Sequence, residues 1–359
     1  MRVIVAGGGT GGHLFPAVAV GSQIARMRPS AKVMYVGTIN GFEAKWLPAS
    51  GYCYELLDVH GVMGHSLVGR VRALAEFLRA IGMARKLMGR FRPHLVISAG
   101  GYASAPTVVA AMFARVPIVM MEQNTRPGLS NRMLWRFARK ICVSFADTAQ
   151  YFSRAKVEVT GLPVRYQPQA QNSGKEFVPK QILVLGGSSG AHRLNIGALE
   201  GFKILRKSVI NLKVVHQSGE ADAALLRDAY HELPLVAEVV PFVDDVPAVL
   251  ARADLVVARA GAGTVNDVAL AARPAIFVPY PFHRDMQQLH NARVLEKLGG
   301  AIIVKDDDEL APNLAREMKR LLESPKLLAE MGQRSHRAAI PDAAVRVAKI
   351  CLEAAAAEN

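Results

Sequence analysis

With 359 residues, 51% of them hydrophobic and 21% charged, the chain has the length for two domains with separate cores and an ordinary globular composition. Its formal net charge of +14 calls for an anionic partner, but only 6% of residues are aromatic and no zinc-finger spacing or recognition-helix signature is present, so nucleic acid is disfavoured. Cys53, Cys142 and Cys351 lack metal or Cys-x-x-Cys spacing, no signal peptide is visible, and Arg115 and Pro117 break the most apolar stretch. A soluble or peripheral protein in a reducing compartment is expected.

The chain begins with a strand pattern, Val3–Ala6, running into Gly7-Gly8-Gly9-Thr10-Gly11-Gly12-His13 and a helix-like stretch. The same unit returns near mid-chain, where Ile182–Leu185 runs into Gly186-Gly187-Ser188-Ser189-Gly190. A strand, glycine turn and helix N-terminus offer free N–H groups and a positive dipole end to an anion. Further strand patterns at 33–36, 95–98, 118–121 and 141–143 follow the first unit, and 212–216, 255–257 and 275–278 follow the second. Strands alternating with amphipathic stretches predict two doubly wound parallel sheets. The polar, proline-bearing run Gln167–Lys180 reads as the linker, giving domains 1–162 and 163–340, with a last helix over 341–359 packing back on the first.

Gly7, Gly9 and Gly12 satisfy the dinucleotide pattern, yet the second strand, Lys32–Thr38, ends without the acid that would bind a ribose; Glu43 follows in an expected loop. A nicotinamide-dependent oxidoreductase is weakened accordingly. A P-loop ATPase is disfavoured, because neither glycine loop is followed by Gly-Lys-Ser/Thr.

Two stretches concentrate basic charge. Between Arg70 and Arg92 seven basic residues face one acid, Glu76, with Val71, Leu74, Leu78 and Ile81 at helical spacing. Between Arg132 and Lys140 basic residues again fall at the spacing of one helix face. Each fits a helix packing its apolar stripe on a sheet, or a basic amphipathic helix lying on an anionic bilayer.

Nine segments, the two glycine loops among them, stand in order over nearly the whole chain: GGGTGGHLFP from Gly7, AGGYASAP from Ala99, MEQN from Met121, GLPVR from Gly161, GGSSGA from Gly186, HQSG from His216, FVDD from Phe242, ARAGAGTVND from Ala258 and DMQQLHNA from Asp285. This series resembles the MurG family, transferases that move N-acetylglucosamine (GlcNAc) from UDP-GlcNAc to undecaprenyl-diphospho-muramoyl-pentapeptide in peptidoglycan synthesis. The resemblance implies an α/β GT-B architecture: two Rossmann-like doubly wound domains facing a cleft, with the donor on the C-terminal one and the lipid acceptor on the N-terminal one. It also implies no cofactor, an anionic membrane surface met by segments 70–92 and 132–140, and a peripheral place on the cytoplasmic face of the inner membrane. The apolar part of that surface would involve Leu74, Leu78, Ile81 and Met112.

By the same resemblance His13 is the candidate base or an acceptor-positioning group, and Glu122 is the other catalytic candidate. Thr10, Gly11, Gly12, Asn124, Arg165, Ser188 and Val243 would serve donor binding, together with Arg259, Ala262, Gly263, Thr264, Val265, Asn266 and Asp267. Gln287, Gln288 and Asn291 would read the sugar hydroxyls, and Tyr102 and Asn195 the acceptor. Met121, Leu162, Ser189, Ala260, Gly263 and Asp267 depart from the family's usual residues. Asp306-Asp307-Asp308 matches a metal-binding pattern formally but reads as a solvated loop or helix start, and no metal site is expected. A related transferase with another lipid acceptor, an oxidoreductase, and a non-enzymatic nucleotide-sugar binder are the alternatives.

Overall fold

The computed structural model describes residues 1–59, 67–164, 181–187, 190–206, 212–282 and 285–356, with side chains from residue 72 in the helix that begins at 67. Arg165, Ser188, Ser189 and the expected linker 167–180 lie outside the described residues. The chain divides into one unit of Met1–Arg165 with Asp342–Asn359 and another of Tyr166–Pro341.

In the first unit the elements run β1 (Arg2–Ala6), α1 (Gly11–Met27), β2 (Lys32–Thr38), α2 (Glu43–Ser50), β3 (Tyr54–Leu57), α3 (Leu67–Phe91), β4 (Leu95–Ser98), α4 (Ala105–Phe113), β5 (Ile118–Glu122), α5 (Leu129–Leu134), β6 (Lys140–Val143) and β7 (Val157–Val159). All strand pairs are parallel, in the order β3-β2-β1-β4-β5-β6-β7. The central strands are apolar at successive positions because helices cover both faces. Val3, Val5, Leu95 and Ile97 point to one core, shared with Leu14, Val18 and Ile24 of α1. Ile4, Val96 and Met120 point to the other, shared with Ala80, Ala84 and Leu87 of α3. Each fully buried leucine or isoleucine is worth about 1.5–3 kcal/mol.

The second unit repeats the plan: β8 (Gln181–Leu185), α6 (His192–Leu205), β9 (Lys213–Gln217), α7 (Ala223–His231), β10 (Val236–Val240), α8 (Val246–Arg252), β11 (Leu255–Ala258), α9 (Ala262–Leu270), β12 (Ala275–Phe277), α10 (Gln287–Lys297), β13 (Ala301–Ile303), α11 (Leu310–Leu322) and α12 (Pro325–His336). Its six parallel strands stand in the order β10-β9-β8-β11-β12-β13. The last helix, α13 (Ala343–Ala356), packs on α1 and on β4 to β6 of the first unit, burying Val347, Ala348 and Cys351.

Strands β3, β7 and β10 are absent from the sequence reading. Each is a sheet edge with partly exposed residues, so the continuous apolar run that marks a central strand is missing. The expected helical face 132–140 is also corrected. Helix α5 covers 129–134, a 3-10 turn covers Trp135–Phe137, and Lys140 opens β6 and pairs with Glu158 at 2.6 Å.

Candidate active site

In each sheet the strand order reverses beside the first strand of its unit, between β1 and β4 and between β8 and β11. Loops at the carboxyl ends of such strands diverge and leave a crevice, the usual ligand position in open parallel sheets. The segments singled out in the sequence follow β1, β4, β5, β8 and β11, at those ends.

At the first crevice Thr10 stands extended before α1, and its hydroxyl oxygen lies 3.0 Å from His13 Nδ1. Gly11 and Gly12 are the first residues of α1. Burial lowers the His13 pKa below its ordinary value, and the carboxylate of Glu43 acts in the opposite sense. The loop after β4 closes over this turn. Gly100 and Gly101 both have positive φ, and a side chain on Gly101 would meet the Gly8 carbonyl at 3.0 Å. Tyr102 lays its ring beside Gly9 and is partly exposed.

Glu43 is the residue that sequence reasoning missed. It is the first residue of α2 rather than part of a loop, and it is completely buried. Its carboxylate accepts from Gly9 N at 2.7 Å, Thr38 N at 2.8 Å and Thr38 Oγ1 at 2.8 Å. The glycines at 8, 37 and 41 were a usable signal, because a Cβ at any of them would overlap this side chain.

Glu122, at the end of β5, is buried and anchors the loop that follows. Its carboxylate accepts from Asn124 N at 2.9 Å, Gly128 N at 3.0 Å and Asn131 Nδ2 at 2.9 Å. Burial raises its pKa, and these donors oppose the rise. Asn131 also donates to the Met121 carbonyl at 2.9 Å, and Thr148 Oγ1 donates to the Asn124 carbonyl at 3.0 Å. The loop carrying Asn124 is thus tied at both ends.

In the second unit Asn195 is 0% exposed, inside a polar chain rather than on a surface open to an acceptor. Asn195 Nδ2 donates to the Ser218 carbonyl at 2.8 Å and to Asp222 Oδ2 at 2.7 Å. Both amide hydrogens are therefore used, so Asn195 Oδ1 accepts from His216 Nε2 at 3.1 Å, and His216 Nδ1 accepts from the Tyr230 hydroxyl at 2.8 Å. Burial pushes the His216 pKa down to about 3 and raises that of Tyr230. This chain fixes Ser218, whose carbonyl lies against Gly190 of the second glycine loop.

Arg259 follows β11 and is nearly buried. It donates to the Val278 carbonyl at 2.9 Å and to Asp306 Oδ2 at 2.7 Å, and lies over the Tyr280 ring at 5.7 Å. The expectation of a solvated Asp306 is corrected: its side chain is wholly buried, because Arg193 Nε also donates to it at 2.6 Å. Of the predicted run on α9, Gly263, Thr264 and Asp267 are partly exposed, whereas Ala262, Val265 and Asn266 are buried in packing. Gln288 Oε1 accepts from Ala260 N at 3.2 Å and Tyr280 N at 2.9 Å, which holds two loops together. Gln287 beside it is half-buried. Asn291 is fully buried and donates to the Ala260 carbonyl at 3.3 Å, and Val243 is buried beside exposed Phe242.

On α3 the buried stripe is Ala73, Ala80, Ala84, Leu87 and Met88, while Leu74 and Leu78 are 56% and 60% exposed. Ile81 and Met112 are half-buried, and Phe113 is 62% exposed with the Arg85 guanidinium 5.7 Å from its ring centroid. Leu129, Met133 and Phe137 are likewise exposed beside Arg132 and Arg136. Among the described residues no helix is long and apolar enough to cross a membrane, and no cluster of His, Cys, Asp and Glu has the makings of a metal site.

Two domain families match this chain: the glycosyltransferase family 28 N-terminal domain over residues 3–143 and its C-terminal domain over 181–347. A Syntrophotalea carbinolica protein named UDP-N-acetylglucosamine--N-acetylmuramyl-(pentapeptide) pyrophosphoryl-undecaprenol N-acetylglucosamine transferase is 38% identical over 358 residues, 98% of each chain. The protein of the same name from Geobacter sulfurreducens is 38% identical over 96% of each. The crystal structure of Acinetobacter baumannii MurG superposes with a TM-score of 0.81 at 29% identity, covering 98% of this chain and 99% of that one. The chain belongs to the MurG family.

Its fold is the GT-B fold of that family, and it is a glycosyltransferase. Three of the departures from the MurG pattern fall on buried side chains. Met121, Leu162 and Ala260 are at most 3% exposed, and the Met121 and Ala260 segments bond through their backbones, which a side-chain exchange leaves in place.

Proposed function

We propose that this chain transfers GlcNAc from UDP-GlcNAc to the 4-hydroxyl of undecaprenyl-diphospho-MurNAc-pentapeptide (lipid I), giving the β-(1→4)-linked disaccharide of lipid II. The observation that carries the reading is the end-to-end identity with transferases named for this reaction. Two separate Rossmann-like units, each with a crevice at the carboxyl ends of its strands, suit a reaction with two substrates.

In this reading the donor binds the second unit. The backbone at Val243 meets uracil, Thr264 and Asp267 meet the nucleotide, and Gln287 with the NH2 of Gln288 meets the sugar. Arg165, Ser188 and the N-terminus of α6 stabilise charge on the departing UDP. Arg259, Asn195 and Asn291 act by holding these loops, through the hydrogen bonds that they make within the protein. Lipid I binds the first unit beside Tyr102 and the loop anchored by Glu122. The acceptor oxygen attacks the anomeric carbon as the bond to UDP breaks, with inversion, and His13 takes the proton. A His13 tautomer donating Nδ1–H to Thr10 leaves Nε2 as the base. Charge stabilisation by side chains and a helix N-terminus makes a divalent ion unnecessary.

The exposed leucines of α3, the 129–137 segment and their arginines would seat the protein on anionic lipid, peripheral at the cytoplasmic face of the inner membrane. There it would supply peptidoglycan precursor for growth and division.

The test is transfer of labelled GlcNAc from UDP-GlcNAc to a short-chain lipid I analogue, with and without EDTA. Formation of lipid-linked disaccharide in both arms is expected. Transfer to diacylglycerol but not to the analogue would replace the acceptor assignment, and no turnover on any acceptor would leave a binding protein.

A further inference from the structure

The first glycine loop has a feature that the phosphate-loop pattern does not anticipate. The N–H of Gly9, one of the donors such a turn would offer to an incoming anion, is already taken by the Glu43 carboxylate at 2.7 Å. Among the described residues Glu43 has no basic hydrogen-bond partner, and the donors to its buried carboxylate are two backbone N–H groups and one hydroxyl. A buried carboxylate is costly to keep, and hydrogen bonds of this kind are what make it tolerable. The side chain also fills a cradle between β1, β2 and the turn before α2, where Gly8, Gly37 and Gly41 leave room that any Cβ would take.

We propose that Glu43 is a positioning residue for the transfer reaction: it occupies the first glycine loop as a built-in anion, fixes the turn that carries Thr10 and His13, and acts on the His13 ring from beneath that turn. The assignment rests on the proposed function, in which His13 accepts the proton. It also changes the expected task of the loop, which presents a base and a hydroxyl to the acceptor sugar rather than its Gly9 N–H to a diphosphate.

The surroundings of His13 agree. Thr10 faces it from its own turn, Gly100 and Gly101 from the loop after β4, and Tyr102 lies beside the neighbouring Gly9. Among the described residues Glu43 is the charged group that acts on it, opposing the loss of basicity that burial imposes. A neutral histidine desolvated without such a partner would be a poor proton acceptor.

The experiment compares wild type with Glu43→Gln and Glu43→Asp. One readout is the NMR titration of the His13 ring, assigned with a His13→Gln control; the other is the pH dependence of kcat/KM. Glu43→Gln should lower the His13 pKa and move the acid limb of kcat/KM to lower pH. It should reduce kcat by roughly 10- to 100-fold, within the range lost when a general base is impaired, and leave KM for UDP-GlcNAc unchanged. Glu43→Asp, which keeps the charge, should restore part of the titration shift. If folded variants lose thermal stability while the His13 titration stays as in wild type, Glu43 only braces the turn and the proposal is overturned. The titration is independent of turnover, so a wild type without transferase activity would refute the functional reading while the NMR arm still decides the role of Glu43.

Discussion

Arg259 Nη2 and Asp306 Oδ2 meet at 2.7 Å in a place where the Asp306 side chain has no contact with water. Arg193 reaches the second oxygen from α6, so residues far apart in the chain are locked around the strand end at β11. Removing one member of a buried pair leaves an uncompensated charge, at a cost of about 3–5 kcal/mol. Asp306→Ala should lose stability on that scale in urea unfolding and should raise KM for UDP-GlcNAc. Asp306→Asn should retain part of both. A change under about 0.5 kcal/mol, the scale of an ordinary surface substitution, would show that the pair carries no weight.

The His216 chain gives a pH prediction with a definite sign. His216 is held neutral, with a folded-state pKa near 3, while an unfolded histidine titrates near 6.5. Between those values the unfolded chain binds the additional proton, so stability rises with pH by up to about 1.4 kcal/mol per unit from this group. Comparing unfolding at pH 4, 5, 6 and 7 in wild type and His216→Asn should show the slope reduced in the variant. Equal slopes would place the titration elsewhere.

Asn195→Ala removes the acceptor of the His216 Nε2–H and a donor to Asp222. Stranding buried polar groups costs about 1–3 kcal/mol each. The variant should lose stability and donor affinity together, with acceptor KM little changed. A selective rise in acceptor KM would instead favour direct contact with lipid I.

Membrane docking should respond separately to charge and to apolar surface. Arg72, Arg79 and Arg85 are exposed, and each basic residue near an anionic surface is worth about 1 kcal/mol. Replacing all three with glutamine should weaken sedimentation with phosphatidylglycerol vesicles about 100-fold. Leu74→Gln with Leu78→Gln should weaken it at high salt as well. Unchanged binding in both would reject this surface.

The strand and glycine-loop plan of both units is legible in the chain before any folding is known, because central parallel strands and tight turns are written locally in apolar runs and glycines. The ordered motifs likewise identified the family, since their spacing needs no coordinates. Edge strands β3, β7 and β10 were less legible, because half-exposed strands lack a continuous apolar signal. Which partners each polar residue meets depends on tertiary structure. Glu43 reads as a loop acid until packing turns it under Gly9, and Asp306 reads as solvated until arginines from α6 and the end of β11 close on it. The spacing of Leu74 and Leu78 fits either a core stripe or a docking face, and only the packing of Ala80 and Ala84 on the sheet leaves those leucines exposed. Hydrogen-bond partners and helix orientation are long-range properties, set when distant elements compete to bury apolar area and satisfy polar groups.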